Sequence, residues 1–253
     1  MTKKDEDKNL PVNWEEQFAK EANEVAALER PAVAGIGFRG GIMTYAGNEI
    51  PGNSITGIAI AYTVEHAYYS GKWDADNPVP PDCFAQALPQ DAGRDGANMV
   101  PHSNVLAPVS SGCAGCSNFE WGSGNEGRGK ACKEIRKIAF IPYNPGDTAE
   151  MIATAEVGMA KIPVTSVKHW KKYINTVNAL FQRPPWGVIT TMTCKANANT
   201  QFVIGFEADG KVADDSILAA LNARIPSVNE LLLTPYTYED EEEEEAPKSK
   251  KKY

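Results

Sequence analysis

The 253 residues (27.4 kDa, 42% apolar) are enough to bury the core of one domain carrying extensions. No run of eighteen apolar residues and no apolar leader occurs, so neither a membrane span nor a secretory signal is expected, and the chain is read as cytoplasmic. The five cysteines then point to free thiols or metal ligands rather than disulfides. Signatures of P-loop, serine-hydrolase, zincin and dinucleotide-binding enzymes are missing, and no enzymatic activity is expected.

The formal charge of −8 is unevenly spread. Residues 127–206 hold eleven Lys/Arg and four Asp/Glu, a balance of +7, which leaves −15 for the rest. Such asymmetry predicts a basic face for a polyanion. Glu239, Asp240 and Glu241, Glu242, Glu243, Glu244 and Glu245 form an acidic run followed by Lys248, Lys250, Lys251, Lys252 and Tyr253. With so much like charge and so few apolar residues, 234–253 is read as a disordered tail that recruits protein partners or competes for the basic face.

In chain order, residues 1–12 are read as a flexible N-terminus. Asn13 caps an amphipathic helix over 14–29, with Glu16 at the capping-box position. Short β-rich pieces follow at 32–38, 42–46 and 56–63. Residues 77–111 are rich in Pro, Gly, Asp and Asn, a loop too long for a compact domain unless something ties it down. The β pattern returns in IRKIAFIPY from Ile135 and is read again in MIATAEV from Met151. A strong helix then carries Val167, Trp170, Ile174, Val177 and Phe181 on one face and Lys168, Lys171 and Lys172 on the other, before Arg183-Pro-Pro ends it. GVITTMTC and QFVIGFE read as two strands, and Asp214 or Asp215 caps a last helix over 215–224. The expected fold is mainly β: a small barrel of the oligonucleotide/oligosaccharide-binding (OB) type, with flanking helices and a Cys-rich insertion near 77–133. Residues 13–233 would form this single domain; a generic α+β sandwich is the alternative.

Cys113-Ala-Gly-Cys116 is a C-x-x-C knuckle, with Cys132 sixteen residues further on and Cys83 thirty before. Four thiolates at a tetrahedral site bind zinc and leave no open position, so the site would be structural and would tie down the long loop. His102 is an alternative fourth ligand to Cys83. An iron–sulfur cluster, a redox pair or unliganded thiols use the same residues. Cys194, in a threonine-rich strand, is read as a buried thiol. Around the knuckle, Phe119 and Trp121 offer rings that either stack on unpaired bases or cover the metal, and Arg128, Lys130 and Lys133 would neutralise phosphates.

The string from Cys113 through Asn118, Trp121-Gly-Ser and Gly129-Lys-Ala-Cys132, preceded by Pro-Pro-Asp-Cys83-Phe, is similar to a family of bacteriophage and prophage proteins associated with single-stranded DNA binding. Ser166, Trp170, Tyr173 and the Pro-Pro-Trp186-Gly turn extend the resemblance, which covers roughly 32–207. It implies an OB barrel with a zinc-stabilised insertion that coats single strands without sequence preference during phage replication, recombination or repair in the host cytoplasm. Tails of such proteins contact replication or recombination partners; the lysines after the acids depart from that pattern. On this reading Lys168, Lys171, Lys172, Arg183 and Lys195 follow the phosphates. Phe119, Trp121, Trp186 and either Trp73 or Tyr69 stack on bases. The rivals are a zinc-stabilised adaptor of a virus particle, which would not bind nucleic acid, and a nuclease using Asp74, Asp76, Asp82, Asp91 and Asp95.

Overall fold

The fold is organised by one strand. In the computed structural model, which describes residues 33–71 and 79–236, β4 (Ser54–Tyr68) runs fifteen residues through SITGIAIAYTVEHAY. The β-branched and aromatic residues in this run suit a pleated surface buried on both faces. One edge of β4 pairs with β6 (Lys133–Pro142) along almost its whole length. The other edge is shared: β8 (Val188–Asn197) takes Ser54–Gly57, and β5 (Cys83–Ala87) takes Val64–Tyr68.

Around β4 the sheet curls into a half-barrel of nine strands, in the order β3-β2-β1-β7-β6-β4-β8-β9 with β5 beside β4. Here β1 is Ala34–Arg39, β2 Ile42–Tyr45, β3 Asn48–Glu49, β7 Gly158–Ile162 and β9 Gln201–Lys211. β4, β6 and β7 are consecutive antiparallel neighbours and β8 returns beside β4, which is a Greek key. β1 lies parallel to β7 and occupies its free edge.

Four helices among the described residues dress the sheet: α1 (Pro89–Ala92), α2 (Ala149–Thr154), α3 (Val164–Phe181) and α4 (Asp215–Leu232). α3 covers one face of the sheet. Val167, Trp170, Tyr173 and Val177 form its buried stripe, and the last three pack with Ile138, Phe140, Met192 and Ile204. The buried Ser166 hydroxyl accepts the Ile204 N–H at 2.9 Å and ties the helix to β9. On the other face α2 and α4 cover Ile58, Ile60, Ala139 and Ile141. Asp214 caps α4 by accepting from the backbone of Ser216 and Ile217.

A bulge in β4 sets which residue faces which layer. The pairing with β6 shifts between Ala59 and Ala61. Ile58, Ile60 and Ala61 therefore all reach the α4 layer, after which the alternation is reversed. Tyr62 then packs on Trp170, Val64 joins the insertion, and Glu65 turns to the opposite face.

Three expectations change. MIATAEV is largely the helix α2 rather than a strand, because the Thr148 side chain accepts from Met151 N–H and starts a helical turn. α4 continues through Pro226 to Leu232, well past residue 224, its apolar face held by Leu221, Val228 and Leu232. The long loop contains β5 and α1, so strand pairing with β4 already ties it down. The helix expected over 14–29, Trp73, Asp74, Asp76 and the acidic run lie outside the described residues.

Candidate metal centre and nucleic-acid interface

Strand register brings the outer cysteines together. Cys83 pairs with Tyr68, and Lys133 with Ala67, so Cys132 stands at the end of β6 across β4 from Cys83. The knuckle is folded over them. Cys113 N–H donates to Met99 at 2.9 Å, Gly115 takes a φ of 72°, and Cys132 N–H donates to Asn118 at 2.7 Å. All four are free thiols lining one small cavity of about 20 Å³, together with His66, Phe84 and Phe119. That is room for a single water or ion. Burial, then the neighbouring sulfurs of Cys83 and Cys116, push the Cys113 thiol up to about 11. Burial, with Cys113 next, pushes Cys132 up to about 12.

A set of four soft sulfur donors around an ion-sized space fits zinc in kind. In the positions they take, no three His, Cys, Asp or Glu among the described residues are grouped for ligation. His102 does not line the cavity. It stacks on Phe84 at 4.8 Å, and its Nδ1 accepts from Asn104 N–H at 3.1 Å. Cys194 is buried in the α3 core.

Above the cavity the Phe119 ring is held on both sides. It stacks on His66 with centroids 4.0 Å apart, and the Lys130 ammonium sits 3.5 Å from its centroid. Phe119 thus covers the cysteines, and Lys130 is engaged with it. Beyond them residues 120–130 form a tight finger. Gly122 and Gly124 N–H donate to Gly129, and the Ser123 hydroxyl bonds Asn118 and Glu120 and accepts from Ala131 N–H. Trp121 on this finger is 82% exposed, and Arg128 is exposed nearby. Lys133 donates to the Lys130 carbonyl.

A second feature lies between α3 and the β8–β9 hairpin. A groove of about 850 Å³ is lined by Lys168, Lys172 and Lys195, with Glu207 its one acidic residue and Tyr173 and Phe206 among its walls. Lys168, Lys172 and Thr176 follow one another at i, i+4 along α3, and Lys195 faces them from β8. None of the three lysines forms an ion pair with a described residue.

The other expected contacts are occupied elsewhere. Lys171 bridges Asp95 at 3.1 Å and Glu134 at 3.0 Å, joining α3 to the insertion. Burial opposes its charge, but those two carboxylates outweigh it and hold the ammonium above the usual lysine range. Arg183 donates to the carbonyls of Val212, at 2.6 Å, and Gly187. Trp186 packs in the α4 layer. Asp82 binds the backbone and hydroxyl of Ser70, so Asp82 and Asp95 serve separate structural bonds.

Two features escaped the sequence reading. His66 is one. The other is Glu65, fully buried, which meets Lys137 at 3.1 Å, Lys161 at 3.6 Å, the Gln86 amide at 3.2 Å and the Tyr236 hydroxyl. Burial, then Glu65, raises the Tyr236 phenol. An adjacent Glu-His pair inside a strand with no other carboxylate, ammonium or imidazole was the available signal.

The chain matches no protein-family model, no curated protein and no solved structure. No helix among the described residues is long and apolar enough to cross a membrane.

Proposed function

We propose that this protein binds single-stranded DNA without sequence preference, as the phage family it resembles does, with zinc holding the cysteine insertion as a structural support. The observation that carries the reading is the groove between α3 and β8–β9. There Lys168 and Lys172 of α3 stand opposite Lys195 of β8 across a slot open to solvent, all three without ion-pair partners among the described residues. Unpaired cations held on a helix and a strand neutralise successive phosphates at little ordering cost.

The Greek key of β4, β6, β7 and β8, continued by β9, supports an OB-type barrel. Such barrels commonly bind strands on the face of their second and third strands. Here that face of β6 and β7 is occupied by α4 and by the Glu65–Tyr236 cluster, which leaves the groove as the track. Of the rings expected to stack, Trp121 alone is extensively exposed among the described residues. Lys171, on the same helix as the groove's Lys168 and Lys172, links α3 to the insertion that carries this finger. Phosphate neutralisation therefore supplies most of the affinity, and base stacking is confined to the finger. The acidic run at 239–245 would recruit replication or recombination proteins.

The test is a titration with oligo(dT), followed by tryptophan fluorescence at several salt concentrations. The proposal expects a quench whose affinity falls linearly in log–log form with salt. No binding at low salt would leave the adaptor reading in its place.

A further inference from the structure

Among the described residues, His66 is the one side chain at the cysteine site whose buried nitrogen or oxygen atoms have no hydrogen-bonding partner. It is 1% exposed, and neither ring nitrogen makes a hydrogen bond. An imidazole N–H left unpaired in a protein interior costs about 1–3 kcal/mol, so a side chain in that state marks a missing partner. The ring is held firmly in place. Phe119 stacks on one face, and Gly96 lies against its edge so closely that a Cβ there would come within 2.4 Å of Cε1. The β4 bulge turns His66 to this side of the sheet, and the cavity it lines holds the sulfurs of Cys83, Cys113, Cys116 and Cys132.

We infer that His66 is the positioning residue of the metal centre, donating a ring N–H to one of the metal-bound thiolates rather than ligating the ion. The inference rests on the reading of the four cysteines as a zinc site. Four thiolates already complete a tetrahedron, so a fifth donor has no place in it. Loading a divalent ion releases four thiol protons and leaves the cluster with two negative charges. A neutral imidazole N–H is the buried donor available to spread that charge, and such bonds to ligands tune metal retention. One interaction thus satisfies both the orphaned nitrogen and the excess charge on sulfur.

The experiment uses the full chain loaded with zinc or with cobalt. Retention is followed by competition with a colorimetric chelator, and sulfur ligation by the cobalt absorption bands. His66→Phe keeps the ring stack but removes the donor, and should lose zinc about 10–100-fold more readily. His66→Gln restores an N–H and should stay within a few-fold of the parent. The cobalt bands of both variants should keep their wavelengths. The inference is overturned if the Phe variant holds zinc as tightly as the parent, if Gln fares no better than Phe, or if the bands move, which would make His66 a ligand. A parent protein that takes up neither ion defeats the underlying cysteine reading instead, and does so before any variant is compared.

Discussion

The cysteine insertion and the α3–β9 groove are both rich in basic residues, yet they use their charge in opposite ways. In the insertion Lys130 sits on Phe119 and Lys133 donates to a backbone carbonyl, and Lys171, reaching over from α3, is clamped between Asp95 and Glu134. In the groove Lys168, Lys172 and Lys195 have no such ion-pair partners among the described residues and line an open slot. Similar residues thus build a support in one place and offer a surface in the other. Local charge density in the sequence does not distinguish the two; what decides is whether the fold supplies an acceptor.

The largest effect that would sharpen this contrast comes from Cys113→Ser with Cys116→Ser. On the proposed zinc reading, bound metal measured by elemental analysis should fall from one equivalent to none, and the insertion should become protease-sensitive while α3 and the sheet keep their circular dichroism. Trp121→Ala should come next, weakening oligo(dT) binding by about 1–3 kcal/mol, the range for one lost base stack. Lys171→Met should leave oligonucleotide affinity unchanged and lower the urea stability by about 1 kcal/mol, because its pairs are internal and half-exposed. Strong loss of binding in that variant would erase the distinction between the two regions.

The smallest effect concerns Asp95. Its bond with Lys171 holds the carboxyl below its ordinary value, so its contribution to stability is present above the carboxylate range and is lost as pH falls through it. Asp95→Asn should be slightly less stable than the parent at neutral pH, by at most about 1 kcal/mol at this exposed site. The difference should vanish in acid, as followed by urea denaturation at both pH values.

Much of the scaffold could be read from periodicity. The stripe Val167, Trp170 and Val177 is buried as its spacing implied, and the alternation of Phe202, Ile204 and Phe206 lies in β9. Asp214 caps the last helix. What failed did so for tertiary reasons. β5 sits in a Pro/Gly-rich stretch and is recognisable only through its pairing with β4. α4 runs on through Pro226 because its apolar face is packed.

At the candidate site the four cysteines were legible from spacing, and register brings them to one cavity. Phe119 takes the covering position that was one of its two readings, while Lys171, Arg183 and Trp186 were assigned to nucleic acid because composition cannot reveal a carboxylate, a carbonyl or a core waiting for them. His66 and Glu65 were missed because a bulge, invisible in the alternation, decides which face each one meets.

The most direct measurement is the salt dependence of oligo(dT) affinity for the parent and for a triple variant, Lys168→Ala, Lys172→Ala and Lys195→Ala. Each lost phosphate contact should reduce the log–log slope by about 0.7, so the triple variant should lose about two units of slope together with most of its low-salt affinity. An unchanged slope, with the variant folded, would contradict the groove as the path of the strand.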